Sequence, residues 1–284
     1  MRAAASREAM LMRTQAPSEL LVLDAAATTL GRHQSGPFGA TVRTGERIAL
    51  LGPSGAGKST LLKLMSGECA ATGGQVLLKG RALPQWSLQD LSHHRAVLPQ
   101  SSDVAFGLPV DLVISLGRVA RVHDPELDSV VEQAATLARA AHLLGRRFDT
   151  LSGGERARVH MARVFAQLWD VDGGLVLVDE PLAALDPGLQ FDLLDSLDTY
   201  AAQRNHAVVA ILHDINHAMM GFDRLWMVAD GKLVQDMPCS AAAVPALETL
   251  YGITLGCVTN ALGDLVVTPL RQLVRRRAQS ATLA

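Results

Sequence analysis

Unbroken apolar runs punctuate this chain: "RIALL" at 47–51, "RAVL" at 95–98, "LVLV" at 175–178, "AVVAIL" at 207–212 and "LWMVA" at 225–229. Each is short and rich in Val, Ile or Leu, and reads as a strand. The runs at 47–51, 175–178 and 207–212 show no polar alternation, so they are predicted to be buried on both faces. Helical segments lie between them. "STLLKLMS" (59–66) is predicted to end at Gly67, a C′ glycine, and "LSGGERARVHMARVFAQLW" (151–169) reads as a long amphipathic helix. Strands alternating with helices imply a largely parallel sheet.

Other segments follow a different pattern. Residues 20–51 read as short strands with a turn at Thr44–Gly45–Glu46, "TGGQVLLKGRAL" (72–83) as a hairpin about Lys79–Gly80, and "LWMVADGKLVQ" (225–235) as a terminal hairpin. From 101 to 151 the apolar spacing turns helical, and "DPELDSVVEQAATLARAAHLL" opens with Asp124 as cap and Pro125 at the first helical position. The predicted class is therefore α/β. A mainly parallel core with an antiparallel β subdomain spans 19–100 and 152–284, and an α-helical subdomain is inserted at 101–151. Residues 1–18 lack the apolar region of a signal peptide and read as a disordered tail.

Composition narrows the picture. The chain has 284 residues, 49% hydrophobic but only 4% aromatic, so its core is aliphatic. A net charge of −2 gives no electrostatic reason to expect nucleic acid. The three cysteines, Cys69, Cys239 and Cys257, have neither metal-ligand spacing nor an even count for pairing, which points to a reducing cytoplasm. No stretch approaches the roughly 18 apolar residues of a membrane span.

The chemistry sits at the ends of the apolar runs. "GPSGAGKST" (52–60) follows the first strand and opens a helix. Gly52 and Gly57 let the backbone turn its N–H groups inward as a nest for a phosphate chain, with Pro53, Ser54, Gly55 and Ala56 between them. Lys58 can reach the terminal phosphates, Ser59 can hold a magnesium ion, and Thr60 completes the G-x-x-x-x-G-K-[ST] context. In "LSGGE" (151–155), Ser152 and Glu155 have capping-box spacing, and Gly153 and Gly154 leave the helix tip bare. "LVLVDE" closes a buried strand with two carboxylates, each costing several kcal/mol to desolvate without a counter-charge. Magnesium beside Asp179 supplies that charge, and Glu180 can poise a water for attack on a γ-phosphate. His213 ends the next strand, where an imidazole can meet that phosphate.

These residues resemble the nucleotide-binding subunits of ATP-binding cassette (ABC) transporters, whose core is a RecA-like P-loop NTPase. "GPSGAGKST" is similar to the family's Walker A loop, Gln100 to its Q-loop glutamine, "LSGGE" to its signature, "LVLVDE" to Walker B, "ALD" (184–186) to the D-loop, and His213 to the H-loop switch. The resemblance implies ATP and Mg²⁺ as ligands. Residues 52–60 would bind ATP, Ser59, Gln100 and Asp179 would hold the metal, and Glu180, His213 and Gln100 would serve catalysis. It further implies a composite site, with Leu151, Ser152, Gly153, Gly154 and Glu155 of a second copy closing over the nucleotide beside the D-loop residue Asp186. Two departures stand out. "TTLGRHQ" (28–34) offers no aromatic for adenine, leaving Arg32, His33 or a loosely held base, and Ala183 lacks the family's hydroxyl.

"RAVLPQSSDVAFGLPVDLVISLGR" (95–118) resembles ATPases of iron-chelate, haem and cobalamin importers; "SSDVAF", "LARVFAQLWD" and "LYGITL" are most similar to those of haem (hemin) importers. Ferric siderophore and cobalamin remain alternative cargoes. Such a subunit works with two transmembrane permease subunits at the cytoplasmic face of the inner membrane, and only indirectly with a periplasmic hemin-binding protein. Ala105, Phe106, Leu108 and Val110 would then line the permease groove or merely pack the helical insertion. His93–His94 reads as a solvated pair and the arginine-rich 271–284 as a solvated tail. A cassette ATPase of ribosomes or chromosomes would need a second cassette or long coiled coils, and a P-loop phosphotransferase would leave "LSGGE" without a role.

Overall fold

The computed structural model describes residues 18–31, 33–100, 107–182, 185–261 and 263–270. Strands β1 (Glu19–Leu30), β2 (His33–Arg43) and β3 (Arg47–Leu51) lead into helix α1 (Lys58–Ser66), which ends at Gly67 with φ 78°. Then come β4 (Gly73–Leu78), β5 (Arg81–Ala82), α2 (Leu88–Ser92) and β6 (Arg95–Leu98). A helical stretch follows, with α3 (Val110–Ser115), α4 (Leu127–Leu137) and α5 (Gly153–Gln167). The chain returns through β7 (Leu175–Asp179), α6 (Pro187–Gln203), β8 (Ala207–Ile211), α7 (Ile215–Gly221), β9 (Arg224–Ala229) and β10 (Lys232–Pro238). Helix α8 (Val244–Tyr251) and the hairpin β11 (Leu255–Thr259)–β12 (Leu265–Pro269) complete it.

The main sheet has the order β10-β9-β3-β8-β7-β6, parallel throughout except for the edge strand β10. A second, antiparallel sheet has the order β2-β1-β4-β5. The unbroken apolar runs now have their cause. Strand side chains alternate faces, and both faces of the main sheet are covered. Ala49 and Leu51 enter one core with Val176, Val178, Val208 and Ala210; Ile48 and Leu50 enter the other with Leu175, Leu177, Val209 and Ile211. The first core continues into α3, α4 and α5 through Val113, Ala134 and Phe165; the second takes Leu61 and Met65 of α1 and Phe38 of the antiparallel sheet.

Because β3, β6, β7 and β8 run parallel, their C-terminal ends share one edge of the sheet. Those ends and the segments that follow them carry Gly52–Ser59, Gln100, Asp179–Glu180 and His213. Ligands of open α/β sheets bind at that edge.

Several expectations change. Asp124 does not cap α4, whose N-cap is Glu126 without a side-chain bond. Its carboxylate is instead claimed by the buried Arg118 guanidinium, which also donates to Asp170 (3.0 Å) and the Ala166 carbonyl (3.2 Å). Helix α5 buries Val159, Met161 and Phe165 in a core that α3 and α4 share with the main sheet. Val110 is fully buried and offers no docking face, whereas Leu108 is partly buried against the same core; Ala105 and Phe106 lie outside the described residues. His94 is half-buried edge-on to Trp86 (5.0 Å), and burial pushes its imidazole pKa down. The tails at 1–17 and 271–284, Arg32, the His33 side chain and Ala183–Ala184 also lie outside the description.

Candidate active site at the strand ends

The loop from Gly52 to Gly57 turns sharply between β3 and α1. A β-carbon on Gly52 would run into the Val228 carbonyl of β9, and Gly57 takes φ 100° as the N-cap of α1 with no side chain capping the helix. The Gly231 N–H donates to the Ala56 carbonyl (2.9 Å) and the Gly36 N–H to the Gly231 carbonyl (2.7 Å), lacing the loop to the β9–β10 turn and to β2. Lys58 is buried, with its Nζ donating to the carbonyls of Gly52 (2.7 Å) and Pro53 (2.9 Å). Burial lowers the Lys58 pKa, while the charges of Glu180 and Asp179 pull it back up.

Asp179, the last residue of β7, accepts a hydrogen bond from Ser59 Oγ (3.3 Å). Burial pushes its carboxyl pKa up, the Ser59 bond opposes this, and the neighbouring Glu180 charge adds to it. Glu180 has φ 49°, a left-handed conformation that strains a residue with a β-carbon. Its carboxylate bridges two loops: Gln100 Nε2 donates to Oε2 (2.5 Å), and His213 Nε2 lies 2.7 Å from Oε1. The Glu180 side chain is 15% exposed and that of His213 55%. Both line a cleft of about 270 Å³ with Ser54, Gly55, Ala56, Gly57, Lys58, Ser59 and Thr60.

The second motif lies apart from this cleft. Ser152 Oγ accepts from the Glu155 N–H (3.3 Å) and Glu155 Oε2 from the Ser152 N–H (2.8 Å), a reciprocal cap for α5. Arg146 holds the other Glu155 oxygen (3.0 Å), and Leu151 is buried beneath the tip. Open space surrounds the position of a β-carbon on Gly153, whereas Gly154 faces Leu189. None of Leu151–Glu155 lines the cleft among the described residues. Asp186 caps α6, accepting from the Leu189 N–H (3.1 Å).

The sequence reading missed a wall of the loop. A second cleft, about 550 Å³, runs from Pro53–Ala56 past Asp230 and Gln235 to Ala246, Thr249 and Leu250 of α8. Burial raises the pKa of Tyr251 on that helix, opposed by a hydrogen bond from the Gly52 backbone. The available signal was "VPALETLYG", helically spaced, with Gly252 as a C′ glycine at φ 65°.

Comparison with known proteins supplies the frame. The ABC transporter family profile matches residues 37–183. The hemin import ATP-binding protein HmuV of Pseudomonas entomophila is 41% identical over 215 residues, covering 75% of this chain and 84% of that protein. HmuV of Pseudomonas aeruginosa is 45% identical over 67% of this chain and 75% of its own length, and that of Gloeobacter violaceus 42% identical over 80% and 85%. Among solved structures, a metal-chelate type ABC transporter in an inward-facing conformation aligns with TM-score 0.75 over 90% of this chain and 99% of that one, at 21% identity. A nucleotide-free ATP-binding cassette aligns at 0.70 over 83% and 96%, at 18% identity. At these identities the structures speak to the fold alone. Joined to the family profile and the relatives above 40% identity, they make this chain a member of the ABC transporter family, an ATP-binding and ATP-hydrolysing protein with the α/β cassette fold.

Proposed function

We propose that this chain is the energy-coupling ATPase of a hemin importer, acting at the cytoplasmic face of the inner membrane beneath two transmembrane permease subunits. The observation that carries its chemistry is Glu180, suspended between Gln100 and His213 beside the Ser59–Asp179 pair. The cargo rests on the relatives, which at 40–46% identity are named hemin import ATP-binding proteins. Hemin would pass from a periplasmic binding protein through the permease, so this subunit needs no haem ligand.

The loop amides from Gly52 to Thr60 and the Lys58 ammonium bind the triphosphate. Ser59 and Asp179 present hard oxygen donors 3.3 Å apart, and burial leaves the Asp179 charge poorly solvated, which suits a divalent cation. Magnesium held there, with Gln100 as the further ligand the family resemblance implies, would neutralise charge on the β- and γ-phosphates. Glu180 accepts a proton from the attacking water as the water oxygen bonds to phosphorus and the bridging P–O bond breaks, giving ADP and phosphate. Gln100 and His213 fix the two Glu180 oxygens, and His213 lies where its imidazole can meet the γ-phosphate.

The α5 tip is reserved for a second copy. Ser152, Gly153 and Gly154 would close over ATP held by the other subunit beside the D-loop residue Asp186, with Leu151 and Glu155 setting the angle of that tip. The permease face is better served by Leu112, Leu116 and Val119 than by the buried Val110. These three are 44%, 41% and 79% exposed along α3 and the turn that follows it. Among the described residues no helix is long and apolar enough to cross a membrane.

The test is Glu180→Gln. Loss of a general base costs about 10²–10⁴ in rate, so Mg·ATP turnover is expected to fall at least ~100-fold while ATP binding stays within about threefold. Turnover within twofold of wild type overturns the role given to Glu180. In liposomes carrying the permease, hemin-loaded binding protein should raise wild-type turnover, and a stronger response to a ferric siderophore or cobalamin would reassign the cargo.

A further inference from the structure

Helix α7 starts two residues after His213, and its first turn is tied to the far end of the chain. Asp214 caps the helix by accepting from the Asn216 N–H (2.7 Å). The Asn216 side chain then clasps one peptide unit of β12: Oδ1 accepts from the Val267 N–H (2.7 Å), and Nδ2 donates to the Val267 carbonyl (3.0 Å). An amide paired this way stands in for a neighbouring strand, satisfying groups that β12 does not spend on β11. Val267 is 2% exposed, so water does not compete for them.

The hairpin that makes this clasp is itself held. The Leu255 N–H donates to Glu248 Oε1 (2.7 Å) at the end of α8, and the Leu270 N–H to the Thr254 carbonyl (2.8 Å). Deeper in α7, Ala218 is fully buried and His217 packs edge-on against Phe191 (5.2 Å). His213, in contrast, is 55% exposed, so few neighbours surround its ring and the backbone entering α7 largely sets where its Nε2 lies.

We propose that Asn216 is a positioning residue for ATP hydrolysis: through the Val267 clasp the C-terminal hairpin fixes the entry of α7, and with it the His213 imidazole that meets Glu180 at 2.7 Å. The inference rests on the role given to His213 in turnover. Asn216 does not line the phosphate-loop cleft, so its loss should slow the chemical step without weakening ATP binding.

A double-mutant cycle in the full-length chain tests this with Mg·ATP turnover. Asn216→Ala is expected to lower kcat about tenfold with KM for ATP unchanged within about twofold, and to cause no further loss in a His213→Ala background. Asn216→Asp keeps the acceptor for the Val267 N–H and loses the donor; its kcat should be intermediate, and it carries the cycle if the alanine variant fails to fold. The proposal is overturned if the losses of the two substitutions multiply, if kcat is unchanged, or if KM rises as kcat falls. Should His213→Ala alone keep wild-type turnover, the role of His213 fails and this inference with it. Multiplying losses with an impaired His213→Ala remove only the inference.

Discussion

Glu180 concentrates at one residue what the cassette asks of its chemistry. A β-carbon in the left-handed region costs about 1–2 kcal/mol, and the chain accepts this where Asp179 must face Ser59 while Glu180 faces Gln100 and His213. The two carboxylates were legible in "LVLVDE"; the strained turn between them was not, because it depends on partners from other strands. Elsewhere, one buried histidine sets a pH limit on folding. His206 accepts the Gly174 N–H at Nδ1 (2.9 Å), and burial pushes its pKa down to about 4. The native state therefore keeps it neutral, whereas the unfolded chain takes up a proton below about 6.5. Stability is full above that value and falls as pH drops toward 4, by about 2 kcal/mol between pH 7 and pH 5 from this residue. Guanidinium unfolding at the two pH values should show this slope in wild type and a shallower one in His206→Phe; equal slopes would place the titration elsewhere.

At the scale of elements, strands β3, β7 and β8 were readable because burial on both faces forbids polar alternation, and α1 because Gly67 ends it in the sequence itself. Misreadings came where a distant partner overrode a local signal. "DPEL" has the spacing of a helix cap, yet Arg118 takes the Asp124 carboxylate into a nearly buried pair, 3% and 10% exposed. The strands β11 and β12 went unread because much of what holds the hairpin, such as Asn216 and Glu248, lies outside it. The Arg118 network joins the turn after α3 to the end of α5, so it bears on the angle of that helix. Removing one member of a buried ion pair costs about 3–5 kcal/mol. Arg118→Met is expected to lower the thermal midpoint by about 10 °C, at roughly 2–4 °C per kcal/mol for a chain of this size. A shift below about 2 °C would mean that the helical unit is held by its apolar core alone.

Across the whole molecule, parallel strands bring one phosphate loop, two carboxylates, an amide and an imidazole to a single edge, while the capped tip of α5 takes no part in lining that cleft. Six motifs in order led the sequence to suggest a site shared between two copies; that Leu151–Glu155 do not line the cleft became apparent only in the fold. A capped tip with open space at Gly153, and no part in lining the cleft of its own chain, is explained if it serves another copy. Light scattering on Glu180→Gln, which should bind ATP without consuming it, is the most direct test. With ATP and magnesium the mass should double from 30.2 kDa, and with ADP it should not. A mass that stays at 30.2 kDa with nucleotide saturated, alone and beside the permease, would contradict a site shared between two copies.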